Sequence, residues 1–217
     1  MTKTSRILAV SALGLATALS ACSKEGDLVI EQGVGIQALR SLCPAVGVPD
    51  YTGNVTLFRG ADRSLGSLDV SATMTNVTST CDDTGERIYA TANFDVLAQR
   101  TDTAGARSVT LPYYSTVLRG GSAVVSKEVG QVVINFADGQ ARASATGTAG
   151  AYVDRAAATL PEEIREEITR RRRPGDTDAA IDPLTKPEVR AAVARASFEL
   201  LVGFQLTEEQ LAYNATR

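Results

Sequence analysis

Asp82, Asp83 and Glu86 are side chains whose spacing could form a carboxylate pair or hold a cation. A carboxylate mechanism needs two acids at a fixed separation in a cleft, one of them keeping its proton through a raised pKa. These acids instead flank Thr84-Gly85, and Asp is favoured in such a turn because its side chain bonds the nearby backbone. The expectation here is a turn and not a site. Asp176, Asp178 and Asp182 likewise lack the Gly and final Glu of a calcium loop and read as a solvated linker. The chain has no His, which excludes Ser-His-Asp and Cys-His catalysis and the common His-ligated zinc sites. It has no Trp on which to build a carbohydrate platform. No dinucleotide fingerprint, phosphate loop, Gly-x-Ser-x-Gly or Ser-x-x-Lys occurs. The expectation is a protein without catalytic residues, metal or cofactor.

The most conspicuous charge run is Arg170, Arg171, Arg172 and Arg173. Four guanidiniums are suited to phosphate, so an anion contact with lipid or an acidic partner is one reading. The other is a helix end. Glu162, Glu163, Glu166 and Glu167 lead, the arginines follow, and Glu166–Arg170 and Glu167–Arg171 stand at i,i+4 in the favourable order. The second reading is preferred.

The three cysteines are Cys22, Cys43 and Cys81. Lys3 and Arg6 introduce an apolar stretch over residues 7–19, and Leu19-Ser20-Ala21-Cys22 closes it. Those 13 residues are too few for a membrane span, which needs about 20. Basic start, apolar centre and small residue before the cut make a secretory signal. With Cys in its last place, the segment resembles the lipobox signal of bacterial lipoproteins. The resemblance covers residues 1–22 only. It implies removal of residues 1–21 and a diacylglycerol on the Cys22 sulfur, and two or more acyl chains anchor stably where one does not. Ser23 stands where an Asp would favour inner-membrane retention. By that analogy the expected location is the outer membrane, facing the periplasm, with the inner membrane and cell surface left open.

Removing the signal takes two of the 22 basic residues and none of the 25 acids, leaving a net charge of −5. That argues against a general nucleic-acid binder. In an oxidising compartment Cys43 and Cys81 are expected to pair.

The elements that would position these groups follow from periodicity. After a tether over residues 22–27, residues 28–217 read as one β-rich domain, with a sheet over 28–149 and a helical segment over 150–217. Residues 28–32 suggest a strand and residues 34–42 a short helix. Leu68, Val70, Ala72 and Met74 alternate with polar residues, as do Ile88, Ala90, Ala92, Phe94, Val96 and Ala98. Val109, Leu111, Tyr113, Ser115 and Val117 continue the period, and residues 123–136 make a further strand. Asp138-Gly139 is a hairpin signal, after which Ala141, Ala143 and Ala145 would pair back. Short turns between five strands predict an antiparallel meander or a β-sandwich-like domain. Thr159, Thr185 and Thr207 are expected to start three helices, and residues 198–206 to return as a strand.

Three functions compete. The first is a non-enzymatic envelope lipoprotein with a structural or interaction role, held by lipid on Cys22 and contacting another envelope protein. The second is a module carrying lipid or a small hydrophobe in an apolar pocket. The third, ranked last, is a hydrolase using acids or Ser without His.

Overall fold

The computed structural model describes residues 41–216. The signal, Cys22, the tether, the expected strand at 28–32 and most of the expected helix at 34–42 lie outside the described residues. The described residues fall into two units, 41–170 with 182–216 and, separately, 171–181.

The larger unit is mainly β. In chain order its strands are β1 (Ala45–Gly47), β2 (Asn54–Phe58), β3 (Leu68–Asp82), β4 (Arg87–Arg100), β5 (Arg107–Arg119), β6 (Ala123–Phe136), β7 (Arg142–Asp154) and β8 (Phe198–Phe204). They form two four-stranded sheets, ordered β1-β8-β5-β6 and β2-β3-β4-β7. Every pairing is antiparallel except β1 with β8. The alternation read from the sequence sets the buried face. Ile88, Ala90, Ala92, Phe94, Val96 and Ala98 point into a core shared with Leu111, Ile134, Phe136 and Leu200. Small Ala side chains on β3, β4 and β7 face larger ones on β5, β6 and β8, so the two layers fill the interior between them.

The sandwich form holds and the simple meander does not. The chain leaves one sheet between β4 and β5 and returns between β6 and β7. Asp138-Gly139 does turn, with Gly139 at φ 74°. Yet β7 pairs with β4, Ala143 opposite Ala98 and Ala145 opposite Val96, and not back onto β6. The physical reason centres on Arg100. It continues the inward series of β4 and is 2% exposed. Its Nε donates to the Gln140 carbonyl at 2.8 Å and its Nη1 to Gly105 at 2.9 Å. Its Nη2 donates to Thr103 at 2.9 Å and Ala137 at 2.8 Å. A buried cation must have its hydrogen bonds met. Here the carbonyls of both crossover loops meet them, so the Ala137 and Gln140 oxygens point at Arg100.

Two aromatic side chains lie over glycines on neighbouring strands. Phe94 on β4 is opposite Gly147 on β7, where a Cβ would come within 2.4 Å of its ring. Tyr113 on β5 is opposite Gly130 on β6, with the same close approach. The missing side chains let the rings lie flat across the strands, and the two rings meet edge-on at 5.0 Å.

The helices are short: α1 (Arg155–Ala158), α2 (Glu162–Thr169), α3 (Pro187–Ala196) and α4 (Glu208–Ala215). Only the expectation for Thr207 holds as a cap. Thr207 and Gln210 form a reciprocal capping box at the start of α4. Thr159 instead ends α1, its hydroxyl donating back to the Arg155 carbonyl at 2.7 Å. Thr185 closes a 3-10 turn that Asp182 caps, and α3 begins two residues later. In both cases a nearer carbonyl captures the hydroxyl before the next helix begins. β8 does return to the sheet, pairing with β5. Asn214 fastens α4 to the body, donating to the Tyr51 and Asn54 carbonyls at 2.7 and 2.8 Å.

Candidate functional site

Cys43 and Cys81 are joined, with Cα atoms 6.1 Å apart. The bond fixes the segment entering β1 to the end of β3, and so links the two sheets.

Asp82 accepts from the Thr84 backbone N–H at 3.0 Å and its hydroxyl at 2.7 Å. These bonds, the backbone one foremost, hold its carboxyl below the usual carboxylate range. A general acid needs the opposite shift. Asp62 is lowered in the same way by Ser64, and Asp69 by Arg107. In the linker acids, Asp176 accepts from the Arg173 N–H and Asp182 from the Leu184 N–H, each at 2.9 Å.

The arginine run lies beyond its helix. α2 ends at Thr169 with Arg170 as its C-cap, so Arg171, Arg172 and Arg173 lie outside it. Arg165 pairs with Glu162, and Lys186 pairs with Glu167. Within the 171–181 unit, Arg172 is 2% exposed and its Nε is 3.7 Å from the Asp178 carboxylate.

The sequence did not flag the most site-like feature. β6 and β7 each form one edge of their sheet, with β1 and β2 at the opposite edges. At Gly130 and Thr148 they are tied together, because the Tyr113 ring crosses β6 and its hydroxyl donates to the Thr148 carbonyl at 2.8 Å. Toward the far end of both strands lies a cleft of about 380 Å³. Ser115 and Val117 on β5 contribute to it, as do Glu128 and Ser126, which lie opposite them on β6. The other wall carries Tyr89 and Tyr152, paired across β4 and β7 with rings 4.6 Å apart. Arg87 stacks on Tyr152 at 4.3 Å.

The Thr116 hydroxyl of this cleft donates to the Ser126 carbonyl at 2.8 Å. Ser115 is 6% exposed, and its hydroxyl makes no hydrogen bond among the described residues. Glu128 and Arg87 form no ion pair among the described residues. The signal that could have found this place is the alternation in β5. It puts a hydroxyl on the buried face opposite a charged residue of a strand whose own first half does not alternate. Compared with protein families, curated proteins and solved structures, the chain matches none.

Proposed function

We propose that this chain is a non-enzymatic envelope lipoprotein, anchored by lipid on Cys22 and acting by contact with another envelope component at the periplasmic face of the membrane. The observation that carries the interaction role is the filled interior. Ile88, Val96, Ile134, Leu200 and Val202 are each 0% exposed and close on one another between the sheets. A carrier of lipid would need that space empty. Among the described residues, the cleft at β6 and β7 and one of about 680 Å³ beside α1 that includes Glu86 and Arg155 are surface features with charged walls. The shifted carboxyl groups all move toward ionisation, which suits surface anchoring and turn formation better than proton transfer. The lipobox resemblance and the disulfide support an oxidising, membrane-attached setting.

Crosslinking in cells followed by co-purification tests this reading. The expected result is one defined envelope protein joined to the chain. Recovery of the chain alone with bound lipid would move the assignment to the carrier.

A further inference from the structure

We propose that the cleft between β6 and β7 takes an extended peptide segment of a partner protein as an added strand, with a basic side chain of that segment seated on Glu128. The inference rests on the interaction role above and names its contact.

An edge strand presents a row of N–H and C=O groups with no ladder, ready to pair with another chain. β6 and β7 both present such an edge. On β6 residues 123–129 are exposed throughout, including Val124 at 67% and Val129 at 62%. This half of the strand carries Val124, Val125 and Val129 beside Ser126, Lys127 and Glu128, and a strand added along its edge would pack against these valines.

The chemistry of the walls then selects the occupant. Main-chain pairing supplies affinity without sequence preference, and side chains reaching into the cleft supply the preference. Glu128 offers a carboxylate without an ion partner, next to the unpartnered Ser115 hydroxyl on the opposing strand. An ammonium or guanidinium group satisfies both oxygen-bearing groups together. Arg87 stands on the other wall, held over Tyr152, where it favours an acidic neighbour along the same segment. A basic group set against Glu128 therefore gives an exposed, solvated carboxylate an ion partner.

The test uses the full chain and end-blocked nine-residue peptides of alternating Val and Thr, labelled for fluorescence polarisation, with Lys, Glu or Thr at the centre. The Lys-centred peptide is expected to bind about tenfold more tightly than the Glu-centred one, the size of one modest charge pair. Glu128→Lys should invert that order, and Glu128→Gln should abolish it without inversion. Unchanged preference in both variants overturns the proposal. So does saturable binding of a chitooligosaccharide with none of the peptides, which would make the cleft a glycan site. Self-association removed by Val129→Lys, without peptide binding, would give β6 to a second copy and also overturn it. Failure here is separable from failure of the wider role. A partner crosslinked in equal yield to the wild type and to Glu128→Lys refutes this cleft and leaves the interaction role standing.

Discussion

The Asp69 carboxylate receives both terminal nitrogens of Arg107, each at 2.7 Å, and the pair joins β3 of one sheet to β5 of the other. Asp69 is buried, and the bonds from Arg107 hold its carboxyl below the ordinary value. A folded-state pKa below the unfolded one stabilises the fold at pH above the unfolded value of about 3.9, and that contribution is lost as pH falls through the lowered value. Asp69→Asn is expected to cost about 2 kcal/mol at neutral pH, the usual worth of a charged hydrogen-bonded pair. Urea unfolding at a series of pH values should show the gap between wild type and variant closing in acid. A constant gap would mean that the pair does not titrate in this way.

Arg100 holds both loops at which the chain changes sheets. Arg100→Met removes the guanidinium from four carbonyl oxygens, of which Thr103 and Ala137 still accept from the Gly139 and Gln140 N–H groups. The expected loss is roughly 3 kcal/mol, the sum of a few modest hydrogen bonds. Amide hydrogen exchange at residues 101–106 and 137–141 should accelerate before that of β4. Exchange spreading evenly over the domain would argue against a local tie.

Gly147 leaves room for the Phe94 ring. Gly147→Ala is expected to destabilise by about 1–3 kcal/mol through overpacking. In the background of Phe94→Ala the same change should cost much less, because the two positions share one space. Additive losses in a double-mutant cycle would show that the ring is not the cause.

The Cys43–Cys81 bond closes a loop over a separation of 38 residues. Replacing both cysteines by Ala is expected to cost about 4 kcal/mol on the chain-entropy model. In the unfolded, non-reduced protein neither thiol should react with an alkylating reagent, and labelling of both would contradict the bond.

Strand positions were legible in the sequence because burial on one face imposes a period of two, and β3, β4 and β5 carry it plainly. Partners were less legible. Alternation says which side of Ala143 is buried and nothing about whether β4 or β6 lies beside it. The clue to the switch was Arg100, a charged residue continuing an inward series, whose role depends on a loop 37 to 40 residues away as well as on the loop that follows it. Thr159 and Thr185 resembled helix starts because a cap motif is local, whereas the hydroxyl's final acceptor depends on where the preceding turn ends. The cleft was invisible because it needs two edge strands, from different sheets, to lie together.

The mass of the mature N-terminus, together with fractionation of Cys22→Ser, tests the lipid anchor itself. The chain is expected to start at Cys22 carrying a thioether-linked diacylglycerol, and the variant to be neither lipidated nor retained in salt-washed envelopes. An unmodified Cys22, or a Cys22→Ser chain that stays with the envelopes after washing, would contradict it.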